Sequence, residues 1–138
     1  MSKEFYKILT PEEWERASET GIIETDLDIK DGFIHLSISR QLAATLAFYF
    51  ADQDRVILLQ PNYEAVKDKL KYENTKPQDR RQSKFPHLYD KLKVSQISKM
   101  WSLERGAFKL PDEILLQLEN CLEKRGHDVI FYNEKSNK

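Results

Sequence analysis

Apolar and polar positions alternate, cluster and break along this chain in an order that predicts interleaved strands and helices. Phe5 to Leu9 alternates weakly and reads as a short first strand. Thr10, Pro11 and Glu13 then carry the marks of a helix start. Thr caps, Pro takes the first helical position, and Thr-x-x-Glu makes a capping box. Gly21 supplies the stop. The polar run from Asp26 ends in Asp31-Gly32, a turn signal, and Phe33 to Ile38 follows as a strand. Side chains alternate across a strand. Ile34, Leu36 and Ile38 therefore share a purely apolar face that must look to the core. Phe33, His35 and Ser37 share the other face, turned to a second layer, a cleft or solvent. Ser37 or Ser39 is placed to cap the next helix, which runs to about Phe50 with Leu42, Leu46 and Tyr49 on its apolar stripe.

Val56 to Leu59 is an unbroken apolar run, as expected of a central strand. Asn62 to Lys69 has room for one or two helical turns. Leu70 to Glu73 reads as a strand with Leu70 and Tyr72 on one face, Lys71 and Glu73 on the other. The stretch from Asn74 to Lys84 carries no apolar residue and predicts a loop, with Lys76, Arg80, Arg81 and Lys84 against Asp79. Phe85 to Tyr89 re-enters the fold, and Pro86 argues against a helix there. A further strand is expected within Val94 to Leu103. Pro111 opens a last helix with Asp112 and Glu113 in its first turn, and Ile114, Leu118, Cys121 and Leu122 form its stripe. Gly126 ends that helix, and Val129 to Tyr132 is a candidate edge strand. This order predicts an α/β chain of the α+β type, folded as one domain over residues 1–138.

Composition narrows the partners. With 138 residues the chain has the size of one ordinary domain. Lys plus Arg number 22 against 23 for Asp plus Glu, a net charge of −1. That balance gives no general attraction to nucleic acid or to an acidic membrane. The longest nearly apolar stretch, Leu42 to Ala51, falls short of the ~20 residues a membrane-spanning helix needs. The N-terminal residues lack the apolar core of a secretory signal, so a soluble, cytoplasmic protein is expected. Cys121 is the single cysteine and is expected to be an inert, buried thiol. Nothing in the pattern fixes an oligomeric state.

The candidate chemistry rests on few side chains. His35 and His87 both lie in aromatic-flanked extended segments, FIHLS and FPHLY, whereas His127 stands beside Asp128 past the last helix. An imidazole on the non-core face of an interior strand costs stability unless it finds partners. Backbone or Ser37 would make His35 structural; a shared hollow with His87 and Glu73 would make the three a catalytic set. Arg80 and Arg81 belong either to a solvated loop or to a clamp for phosphate groups, whose oxygens match the guanidinium fork. Gly-rich phosphate loops, paired Cys-x-x-Cys motifs and His-Glu-x-x-His are all absent from the sequence. No metal is therefore expected, and a two-histidine, one-carboxylate set of His35, His87 and Glu73 ranks behind the other readings.

A family resemblance sharpens this picture. Tyr6-Lys7-Ile8-Leu9, Trp14-Glu15, the DGFIHLS block from Asp31 to Ser37, Gln41, and the FPHLY block from Phe85 to Tyr89 occur in this order. Together they resemble domain-of-unknown-function family 952 across about residues 5–112, with residues 111–138 an added helix and strand. By fold that family is grouped with the ADP-ribosyltransferase-like superfamily, which includes RNA 2′-phosphotransferases and toxins. The resemblance implies two small β-sheets with flanking helices and a cleft between them for nicotinamide adenine dinucleotide (NAD). It implies that His35 and Ser37 meet the adenosine ribose or its neighbour. Tyr72-Glu73 would be the family's aromatic-Glu pair, and His87 and Tyr89 its second block. Glu73 would then hold a ribose hydroxyl and stabilise positive charge on the sugar, while Tyr89 stacks on a ring. Gln41, Tyr72, Phe85, Arg80 and Arg81 complete the expected ligand-binding set. The basic stretch 74–84 is longer than the resemblance leads one to expect. The expected function is an NAD- or ADP-ribose-nucleotide-dependent transferase. The alternative is a binding module for a nucleotide or small anion that does no chemistry.

Overall fold

Thr10 and Thr25 start the first two helices by the same device. The Thr10 hydroxyl accepts from the Glu13 amide at 3.2 Å, and the Glu13 carboxylate accepts from the Thr10 amide at 2.9 Å. This box opens helix α1, Pro11–Thr20, which stops at Gly21 with φ +82°. Thr25 and Asp28 repeat the box and open helix α2, Asp26–Asp31, which stops at Gly32 with φ +85°. The polar run expected to be only a turn is therefore a short helix closed by the expected turn. A Cβ at Gly32 would meet nothing within 4 Å, so only the left-handed backbone opposes a side chain there. Gly32→Ala should cost about 1–2 kcal/mol, read as a lower midpoint in urea.

The computed structural model describes residues 3–74 and 84–104, together with 111, 113, 114, 116 and 117. Two compact units divide the chain, Met1–Phe108 and Lys109–Lys138. The first is a mixed α/β unit of small antiparallel sheets. Strand β1, Phe5–Leu9, lies between β4, Ser37–Ile38, and β5, Arg55–Pro61, and β9, Ile97–Glu104, covers the far side of β5. As its apolar run predicts, β5 is central: Val56, Ile57, Leu58 and Leu59 are all buried. A second sheet orders β3, Ile34–His35, beside β7, Lys84–Leu88, and β6, Leu70–Asn74. Two-residue strands β2, Ile22–Ile23, and β8, Leu92–Lys93, pair separately.

The expected strand Phe33–Ile38 is thus two strands, one in each sheet, parted at Leu36, whose amide donates to the Pro86 carbonyl at 3.1 Å. Its face assignment is as the alternation predicts. Ile34 and Leu36 pack in one core with Phe5, Leu9, Leu59 and Leu88, and Ile38 packs against it. Helix α3, Leu42–Tyr49, differs from expectation at its start and its stripe. It follows a 3-10 turn over Ser39–Gln41, in which the Gln41 side chain accepts from the Ile38 amide at 3.0 Å; neither Ser37 nor Ser39 caps it. Leu42 and Leu46 are buried, but Tyr49 is exposed. Helix α4, Tyr63–Val66, is capped by the Asn62 side chain, which accepts from the Glu64 amide at 2.9 Å.

In the second unit Glu113, Ile114, Leu116 and Gln117 are helical, as Pro111 predicts, and the Ile114 amide donates to the Pro111 carbonyl. Asp112, Leu118, Cys121, Leu122, Gly126, His127 and the candidate strand 129–132 lie outside the described residues. Among the described residues, no helix is long and apolar enough to cross a membrane.

Candidate functional site

Strand alternation assembles the site. His35 on β3 sits directly opposite His87 on β7, and His87 sits opposite Lys71 on β6. Since successive residues point to opposite faces, one face of this sheet carries His35, Phe85, His87, Lys71 and Glu73. Ile34, Leu88 and Leu70 point the other way, into the core. The two imidazoles stand 5.6 Å apart between ring centroids. Phe33 fills the space above them: it stacks on His87 at 4.1 Å and 25°, and lies 4.6 Å from His35 and 5.3 Å from Tyr89. A cavity of about 760 Å³ opens here, with Lys7, Asp28, Asp31, Phe33, His35 and His87 in its wall. That volume suits a small-molecule ligand.

His35 is clamped from both sides. Its Nδ1 lies 2.6 Å from Asp28 Oδ1 and its Nε2 lies 2.9 Å from Asp31 Oδ2. The His35 amide also donates to Asp28 Oδ1 at 3.0 Å. Asp28 is buried and pairs through Oδ2 with Lys7 Nζ at 2.7 Å, a lysine that is itself buried. Lys7 reaches on to the His35 carbonyl at 3.1 Å. Burial alone would push the Asp28 carboxyl up. The hydrogen bonds from His35 and the Lys7 charge outweigh that and hold it well below the usual carboxylate range. Both His35 nitrogens can donate to their aspartates only when the ring carries two protons.

His87 is arranged differently. Its Nδ1 lies 2.8 Å from Glu73 Oε1, and the Tyr89 hydroxyl donates to the same oxygen at 2.8 Å. The hydrogen bonds from His87 and Tyr89 draw the Glu73 carboxyl below its ordinary value. Burial pushes the His87 imidazole below its own, despite the opposing pull of Glu73. Nε2 of His87 makes no hydrogen bond among the described residues.

Three predicted site residues, His35, Glu73 and His87, are therefore joined into one cluster. Ser37 and Phe85 also line the cavity, and the Ser37 hydroxyl meets that of Thr45 at 3.4 Å. Glu73 stands behind His87, where it touches His87 and Tyr89 rather than the cavity wall. Gln41 is buried away from that wall, where its amide donates to the Lys84 carbonyl at 2.8 Å. Tyr72 lies on the opposite face of β6 from Glu73, and burial raises its phenol. Arg80 and Arg81 lie outside the described residues. Among the described residues, no three His, Cys, Asp or Glu side chains group so as to hold a metal ion; each candidate imidazole faces its own carboxylates instead. Sequence reasoning missed Lys7, Asp28, Asp31 and Phe33 as site residues. The available signal was Thr25-x-x-Asp28, a second capping box with the same pattern as the first.

A family model described as a protein of unknown function, DUF952, matches residues 8–100. The crystal structure of protein CC0527 from Caulobacter crescentus is similar, with a TM-score of 0.69 at 35% identity over 81% of this chain and 98% of that one. The solution NMR structure of CC0527 gives a TM-score of 0.63 at 36% identity, over 75% and 86% of the two chains. No curated protein matches.

Proposed function

Because this chain belongs to the DUF952 family of proteins of unknown function, we propose that its cavity binds a nucleotide of the NAD or ADP-ribose class and transfers the ADP-ribosyl group. The fold is then an ADP-ribosyltransferase-like one, with two small sheets whose strands β3 and β4 part at Leu36. One observation supports the reading above others. A flat aromatic wall, Phe33 on His87, faces a cavity that also carries Asp28 and Asp31. The nicotinamide ring of NAD is flat and cationic while bonded to ribose, and both aromatic faces and carboxylates favour such a ring. Breaking its glycosidic bond develops positive charge on the sugar, which a fixed carboxylate stabilises. Asp31 is the better candidate for that task, since Glu73 stands behind His87. Asn74 lines the cavity and pairs with Lys84 across β6 and β7.

Calorimetric titration with NAD should show saturable binding, and incubation should release nicotinamide. Phe33→Ala should weaken binding roughly tenfold by loss of ring contacts. Binding without nicotinamide release would favour the binding module that does no chemistry. An affinity unchanged by Phe33→Ala would remove the cavity from consideration.

A further inference from the structure

We infer that His87 is the proton acceptor of this cavity, and that it takes the proton from the group receiving the transferred ADP-ribosyl, such as a hydroxyl or a water molecule. The electrophile in this step rests on the nucleotide reading above; the state of His87 does not.

The two histidines look alike in sequence, yet only His87 keeps a ring nitrogen without a hydrogen-bond partner among the described residues. Both nitrogens of His35 lie against carboxylate oxygens, at 2.6 and 2.9 Å, so its lone pairs are not available to a substrate. His87 spends only Nδ1, on Glu73. A ring whose Nδ1–H donates to a carboxylate presents a bare lone pair at Nε2. That nitrogen has no partner among the described residues, and His87 lines the cavity. Phe33, stacked at 4.1 Å, fixes the ring plane. Tyr89 fixes Glu73 by donating to the same Oε1 that holds Nδ1. Burial keeps the imidazole neutral at neutral pH, as an acceptor must be. Glu73 and Tyr89 are positioning residues: they act through His87 and need not touch substrate.

The step balances as follows. The acceptor O–H gives its proton to His87 Nε2 while its oxygen forms a bond to ribose C1′. The bond from C1′ to the nicotinamide nitrogen breaks, and its electron pair stays on that nitrogen, cancelling the positive charge of the ring. The proton on His87 then passes to solvent. The charges that bear on His87 are those of Glu73 from β6, His35 from β3 and Asp31 from α2; Lys71 of β6 stands opposite it in register, and Tyr89 lies just beyond β7. Turnover should fall as pH is lowered through the titration of His87, which burial sets below the ordinary imidazole value.

Two measurements test this. Nitrogen-15 NMR of the wild-type chain at pH 7 should find the His87 ring neutral, with its proton on Nδ1. Nicotinamide release from NAD should drop by about 10²–10⁴-fold in His87→Gln, well beyond any loss of NAD affinity measured by calorimetry on the same variant. Glu73→Gln should keep NAD affinity but shift the His87 tautomer equilibrium and the pH profile, which a merely structural glutamate would not do. A neutral ring protonated on Nε2, or full turnover in His87→Gln, overturns the inference. The expected tautomer in a wild-type chain that binds no NAD would instead overturn the nucleotide reading, and the transfer step with it.

Discussion

Asp28→Ala should cost about 3–5 kcal/mol, a large share of the ~5–15 kcal/mol that holds a domain together. Asp28 is 3% exposed and accepts from the Thr25 amide at 3.0 Å, the His35 amide at 3.0 Å, His35 Nδ1 at 2.6 Å and Lys7 Nζ at 2.7 Å. Removing it leaves the buried Lys7 ammonium with only the His35 carbonyl at 3.1 Å. The capping box of α2 and one side of the His35 clamp go with it. Asp28→Asn keeps the shape and loses the charge, so it should fall between the alanine variant and wild type. Lys7→Met should cost less, because Asp28 keeps three of its donors. Simple buried ion pairs are often replaced by apolar residues without loss. This one should resist: in Lys7→Met with Asp28→Leu, the part-buried Thr25 and His35 amides lose their acceptor. Urea unfolding of Lys7→Met, Asp28→Leu and the double variant closes that cycle. An alanine variant within 1 kcal/mol of wild type would mean the network holds nothing.

What could be read in the sequence was local or periodic. The start of α1 was legible because Thr10, Pro11, Glu13 and Gly21 act within one helix, and each signal has its own physical cause. The two faces of Ile34–Ile38 were legible because a period of two admits one assignment once a face is wholly apolar. Helix α2 was not recognised, since its only apolar residues, Leu27 and Ile29, form no buried stripe: they are 47% and 61% exposed. Capping and the Asp28 network hold it instead. Asp28 itself was hidden because aspartate is ordinarily a surface residue, and the partners that overturn that rule, Lys7 and His35, come from other elements. Tyr49 failed for the opposite reason: its spacing continues the stripe of Leu42 and Leu46 in α3, but the fold buries those two and leaves Tyr49 exposed. The opposition of His35 and His87 depends on register between distant strands, which no local signal encodes. Strands β2 and β8 are two residues each, too short for any periodicity.

Acid should destabilise the protein in two stages, each set by a different buried group. For His87 the folded-state pKa lies below the ordinary 6.5. Between those two values the unfolded chain binds the proton and the folded one does not, so stability falls as pH drops from about 6.5. For Asp28 the folded-state pKa lies below the ordinary 3.8. Its contribution is complete above that value and is lost only as pH falls further. Glu73 shifts in the same direction as Asp28, but it is partly exposed and water screens its interaction, so its share should be small. Urea midpoints taken from pH 8 to pH 3 should therefore begin to decline below about 6.5, as the unfolded chain takes up the His87 proton, and decline further in the carboxylate range. His87→Gln should erase the first decline and leave the second; Asp28→Asn should weaken the second and leave the first. A wild-type profile flat from pH 7 to 5 would mean that His87 reaches solvent as freely in the folded chain as in the unfolded one. The burial of the His87 ring, which holds its folded-state pKa down, would then be absent.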